Sequence, residues 1–314
     1  MALTPESDKL LECDEQNIRE TRRFLSEVSV DLPEALNQAA VLYVTANRAF
    51  GQGIEDHFRG LANEIAAFGL NTISELEAKL KIPPAPGQDA AYAKARDALD
   101  RFRERECRGV LLARIGVLYT IAAADLLRMR VTGPLGYVRI QCESLALMSI
   151  MRGAPETATE WRNVFTEADG RAFFGKYQPR VKQELRSFDL EFAYDNASST
   201  ALHSRFAGIS LGLEVTTQVV NGKIIEDVQV KAQELNPDNP DTFLLILLHV
   251  LRVQDRILKQ LPVVCPEIDD RLLVEQRIPD FTGTVDKLYA DRARKRPDLV
   301  ERYLKAQSGS PTSP

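Results

Sequence analysis

Chemistry-bearing residues fall at helical spacing in two places. In YDNASSTALHS, Tyr194 to Ser204, a helix would align Asn196, Ser199 and His203 at i, i+3 and i+7 as one polar stripe. His203 is one of only three histidines in 314 residues. Its imidazole can accept and donate a proton near neutral pH, with Ser199 orienting it or contacting a ligand. The second place is PLGYVRIQCESLALMSIM, 134–151, where Arg139 and Glu143 are the only charged residues. They stand four apart and share one helix face, in the base-before-acid order that a surface helix does not favour. Their neighbours are nearly all apolar, which predicts a pair that is buried or faces a cleft. Burying both charges costs several kcal/mol unless each is well partnered. Two readings follow. Arg139, Glu143, Ser199 and His203 form one polar site, or they are a structural cluster in which a core histidine is satisfied by a serine hydroxyl. Both predict that the four lie near one another.

Positioning those residues requires helices, and helical signals dominate the chain. Residues 15–81 read as three or four helices, one beginning at Pro33, and TISELEAKLKI carries capping-box spacing at Ser74 and Glu77. IPPAPGQD holds three prolines and cannot continue a helix, so 83–88 is predicted to link an N-terminal helical segment, 1–82, to a core module, 89–262. Residues 263–314 form a C-terminal extension ending in SGSPTSP, whose composition gives no means of ordering. In the core module Asp89 is placed to cap a helix of alternating charge, AAYAKARDALDRFRERECR, of the kind that usually presents a solvated face. Two very apolar helices follow, about 109–130 and 134–152, divided at Gly133-Pro134. Pro155 and Pro179 read as further helix starts. Arg114 and Asp125 are eleven apart on one face, too far to touch, and each calls for a partner from another element.

The pattern changes at LEVTTQVV-NG-KIIEDVQV. Asn221-Gly222 between two β-rich runs predicts an antiparallel hairpin over about 213–230, with Val215 facing Val228 and Val219 facing Ile224. A long apolar helix, about 240–261, comes next. The expected fold is therefore mainly α, a helical bundle with one small hairpin and no parallel sheet.

Composition limits the function classes. A formal charge of −5 and a pI near 5.5 provide no general basic field for nucleic acid. The N-terminus lacks the basic start and apolar run of a signal peptide. The apolar runs at 109–127 and 243–251 contain Arg114, Asp125 and His249, so they read as buried helices of a soluble, cytoplasmic protein and not as membrane spans. Four widely separated cysteines predict free thiols and neither a zinc site nor a disulfide framework. No cofactor or metal is expected. A second copy of the chain, RNA or a small molecule remain as partners.

One resemblance rests on residue order: a helix with Arg-x-x-x-Glu (Arg139, Glu143), a helix with Trp161, a helix ending in Tyr and Ser-x-x-x-His (Tyr194, Ser199, His203), a hairpin, and a long apolar helix. Over about 109–261 this resembles a prokaryotic helical family distantly similar to the HEPN superfamily. The resemblance implies a helical bundle, often dimeric, acting as a metal-independent ribonuclease of a toxin or defence system. The superfamily pattern is Arg-x(4–6)-His; here the arginine nearest before His203 is Arg186, and Arg205 follows it. Arg139, on a neighbouring helix, would then supply the cation and His203 the acid/base group. The alternative is a non-catalytic protein acting through binding or oligomerisation.

Two other matches are set aside. GISLG, 208–212, fits G-x-S-x-G but sits between a helix and a hairpin, the wrong surroundings for a nucleophile elbow. No histidine has a glutamate three residues before it, as a di-iron bundle requires.

Overall fold

The computed structural model describes residues 51–128, 130, 132–197, 213–220, 223–230 and 240–266, with isolated positions at 15, 16, 18, 19, 23, 283, 286, 287, 290, 291, 294 and 297. These residues are mainly helical. In chain order they form α1 (51–66), α2 (Ile73–Leu80), α3 (Asp89–Leu127), α4 (Thr132–Met151), α5 (Pro155–Arg162), α6 (Glu167–Ser187) and α7 (Glu191–Ala197). After them come strands β1 (Leu213–Val220) and β2 (Lys223–Val230), and then α8 (Pro240–Val264). The β1 and β2 backbones pair antiparallel, with Val215 opposite Val228 and Val219 opposite Ile224.

The centre of the bundle is α4. Leu135, Val138, Cys142, Leu145, Leu147, Met148 and Met151 are buried around its whole circumference, the pattern of a helix enclosed by others. Its neighbours are α3, α5, α6, α7 and α8. Phe173, Tyr177, Val181 and Leu185 of α6 supply one wall, and Leu251, Ile257, Leu258 and Leu261 of α8 another. Cys107 and Cys142 are buried free thiols, and Cys265 is buried as well. Burial raises the Cys107 thiol to about 11 and pushes Cys142 further still, so neither ionises near neutral pH.

A smaller cluster joins Leu61, Ile65, Leu70, Ile73 and Leu76 to Ala98, Leu99 and Phe102 of α3. The helices on either side of the proline-rich 83–88 stretch thus pack on each other. Tyr92 also reaches back across that stretch to donate to the Leu80 carbonyl.

Several local expectations are corrected. The charged and apolar halves of 89–127 form one helix of 39 residues, about 58 Å long at 1.5 Å per residue. Nothing between them breaks a helix except Gly109, and a lone glycine costs only about 1 kcal/mol. Gly109 is needed for another reason: a Cβ there would come within 2.7 Å of the His57 ring, so its bare backbone lets α1 approach α3. Asp89 is the first residue of α3 and not its cap; Gln88 holds the cap position without a side-chain hydrogen bond.

The charged half of α3 is solvated in its first part, where Lys94, Arg96, Asp97 and Arg101 are exposed, but not over 103–108. Arg103 pairs with Glu77 at 3.1 Å, Arg105 with Glu64, and Glu106 with Arg162 at 3.1 Å. Arg108, 4% exposed, donates to the Val264 carbonyl at 2.9 Å. The alternating signs match charges on α1, α2 and α5, which a single-helix pattern cannot reveal.

Capping explains two more differences. Thr72, in extended conformation, caps α2 by accepting from the Glu75 N–H, and the Glu75 carboxylate accepts from Asn71. The working pair is two residues earlier than Ser74 and Glu77, which leaves Glu77 free to bind Arg103 and Arg162. At α6 a reciprocal box between Thr166 and Asp169 starts the helix, so Pro179 lies inside it. That proline sits on the exposed side, where water can hydrate the carbonyl deprived of its N–H partner. Pro155 does begin α5.

Among the described residues one helix, within Asp89–Leu126, is long and apolar enough to cross a membrane by length and composition, and 47% of its apolar window is buried in the bundle.

Candidate functional site

Arg139 and Glu143 stand one turn apart on α4, where Val138, Cys142 and Leu145 turn into the core. The pair is neither sealed nor free: their side chains are 28% and 16% exposed. The Arg139 guanidinium lies 3.3 Å from Glu143 Oε1. The base-before-acid order gives this contact little support from the helix itself, so a third group is expected.

That group is Tyr194 of α7. Its hydroxyl donates to Glu143 Oε1 at 2.9 Å. Its ring lies under Arg139, with the guanidinium carbon 5.4 Å from the ring centroid, within cation–π range. Burial, and then the Glu143 carboxylate, push the Tyr194 hydroxyl above its ordinary value. It therefore remains a donor at neutral pH.

The chain brings Tyr194 here through a tight turn. Asp189 adopts a left-handed φ of 55°, tolerable for aspartate, and the Leu190 N–H bonds to the Leu185 carbonyl at 2.7 Å. Arg256 of α8 holds the turn from outside, reaching both the carbonyl and the carboxylate of Asp189 at 2.9 Å. Leu190, Ala193 and Ala197 are then buried on the same side as Tyr194.

The cluster keeps one unspent donor. The Arg139 Nε–H is buried and has no acceptor, while the outer nitrogen meets Glu143. A buried donor without a partner costs roughly 1–3 kcal/mol, so it marks a place where an acceptor would be welcomed.

Of the four residues singled out by sequence, Arg139 and Glu143 meet as expected. Ser199 and His203 lie outside the described residues, as does the side chain of Asn196. Tyr194, at the head of the Tyr194–Ser204 stretch, is a member of the cluster that the polar-stripe pattern does not single out. The signal that could have found it is the weak Arg139/Glu143 order, which leaves both groups able to take another partner.

The other polar residues are placed elsewhere. Arg114 is exposed on α3, against the expectation that it is a buried group needing a partner. Asp125 sits beside Tyr137, whose hydroxyl is raised by burial and then by that carboxylate. His57 is buried with Nε2 2.8 Å from the Arg105 carbonyl. His249 is buried on α8 with its ring edge-on to Phe192, centroids 6.4 Å apart. Among the described residues no three His, Cys, Asp or Glu side chains gather as a metal site would require. Compared with protein-family models, with curated proteins and with solved structures, the chain matches none of them.

Proposed function

We propose that the chain is a HEPN-like helical protein that cleaves RNA without a metal ion, with Arg139, Glu143 and Tyr194 forming one wall of the site and Ser199 and His203 completing it. The observation that supports this is the cluster itself, mostly buried but open at Arg139, with its unspent Arg139 Nε–H. An arginine with a free donor suits a phosphate oxygen, and its charge would stabilise the phosphorane-like transition state. Glu143 and the Tyr194 ring hold the guanidinium in place, so little reorganisation is needed when substrate arrives. In this reading His203 takes the proton of a ribose 2′-hydroxyl as the 2′-oxygen attacks phosphorus. It returns that proton to the departing 5′-oxygen, so charge and protons balance. Tyr194 precedes Ser199 by five residues and His203 by nine, so the chain that carries them starts from this cluster. The paired strands would form one hairpin turning at Asn221-Gly222, with its valine and isoleucine face resting on the helices.

A second reading is favoured by the ion pair. Glu143 already answers the Arg139 charge and Tyr194 covers its face, which is what a non-catalytic tie between α4 and α7 would need. The two readings separate with His203→Ala. Cleavage of single-stranded RNA in the presence of a chelator, measured with the melting temperature, is expected to fall by at least about 100-fold at nearly unchanged stability. A parent protein with no cleavage, and a variant that melts far lower, would make the cluster structural.

A further inference from the structure

The C-terminal half of α3 carries a face that the bundle leaves open. Val110, Val117 and Ile121 are 47%, 58% and 41% exposed, and Ala124 is exposed beside them. At 100° per residue these four fall, with Arg114 and Asp125, in a stripe about 100° wide. A row of exposed valine and isoleucine on one face marks a contact surface and not scattered surface residues.

The two charges say what fits there. Arg114 and Asp125 lie on the same edge of the stripe, eleven residues or about 16 Å apart along the axis, so they cannot pair within one helix. In two copies of α3 packed antiparallel about a two-fold axis, an edge residue of one copy meets the same edge of the other. With the axis between Tyr119 and Thr120, Arg114 of each copy stands level with Asp125 of the other. The same register brings Val117 beside Ile121 of the second copy, within about one residue's rise. One register therefore gives the exposed Arg114 an acid, adds a cation to an Asp125 already hydrogen-bonded to Tyr137, and interlocks the apolar residues.

A lipid surface suits this face less well. Arg114 and Asp125 are part of the stripe, and a carboxylate entering an apolar layer is costly. Nearly half of the apolar window is also already packed inside the bundle.

We infer that this face of α3 is a self-association surface, closed by a second copy through an antiparallel α3–α3 seam with two Arg114–Asp125 pairs. The inference is independent of the proposed ribonuclease site, which lies on α4 and α7. A seam one helix wide falls at the small end of protein interfaces, below about 1,200 Å² in total, so the dimer is reversible and its population depends on concentration.

The test is sedimentation velocity of the full chain across a wide concentration range, with circular dichroism confirming that each variant folds. Arg114→Asp, at an exposed position, sets two carboxylates opposite each other and is expected to raise the dimer dissociation constant at least about tenfold. The exchange Arg114→Asp with Asp125→Arg restores opposite signs in the same register and is expected to return it to within about threefold of the parent. Val117→Ser, which removes apolar contact without adding charge, also weakens the dimer. A parent that stays monomeric throughout would overturn the inference, as would a dimer indifferent to Arg114→Asp. Binding of the monomer to phosphatidylcholine–phosphatidylserine vesicles, abolished by Val117→Ser, would assign the face to a membrane instead.

Discussion

Between pH 6.5 and pH 4 the folded chain is expected to lose about 3 kcal/mol of stability through one residue, His249. Its imidazole is buried on α8 between Leu248 and Val250. Burial, and then the charges of Arg252 and Arg256, bring it from 6.5 down to about 4. In the unfolded chain the ring takes a proton as the pH falls past 6.5, while in the folded chain it stays neutral until about 4. The unfolded state thus binds more protons in this window. The stabilisation is fully present above pH 6.5 and is lost progressively as the pH approaches 4. Urea unfolding midpoints measured from pH 7.5 to pH 4 should trace this loss, and His249→Leu should flatten it. Glu77 adds a second, more acidic loss. Although burial opposes it, Arg162 and Arg103 hold the Glu77 carboxyl below its ordinary 4.5, so its contribution disappears only below that value. A parent whose midpoint is level from pH 6.5 to 4.5 would contradict the assignment to His249.

Arg139 should be the most sensitive position for activity outside His203. Replacing it with alanine removes the cation proposed to meet the phosphate, and loss of one preorganised donor typically lowers turnover about 100-fold or more. Arg139→Lys keeps the charge but not the planar fork that spans Glu143 and lies on the Tyr194 ring, so it should rescue little. Stability should respond differently. Glu143→Ala leaves a half-buried guanidinium and the Tyr194 hydroxyl without their shared acceptor and should cost about 1–3 kcal/mol. Adding Arg139→Ala to it should cost less than the sum of the two single changes. Cleavage rates and urea midpoints on the parent and these four variants check both statements. Equal activity in Arg139→Ala and the parent would remove Arg139 from the site.

The sequence made some of this readable and hid the rest for identifiable reasons. The central place of α4 follows from its nearly unbroken apolar composition, and the Arg139–Glu143 contact from two charges one turn apart. Pro155 announced α5 because a proline at the first helical position loses nothing. Pro179 misled because its cost depends on whether the deprived carbonyl faces water, which is a tertiary property. Thr72 and Thr166 capped their helices through backbone conformations that residue spacing alone does not distinguish from Ser74. The alternating pattern reads correctly for Lys94 to Arg101, which are mostly exposed, but not for Arg103, Arg105 and Glu106, whose partners Glu77, Glu64 and Arg162 lie on three other helices. Tyr194 was missed as a member of the polar cluster for the same reason, being 51 residues away from Glu143.

The central claim is that His203 belongs to the same site as Arg139, Glu143 and Tyr194. With three histidines in the chain, the imidazole region of a proton–nitrogen NMR spectrum holds three sets of signals, and His203→Ala assigns one of them. Glu143→Gln keeps the shape of the side chain and removes its charge. If the claim holds, this change moves the His203 signals and their pH dependence more than those of His57 or His249. His203 signals that stay where they were in the parent at every pH would place that residue away from the cluster and contradict the account.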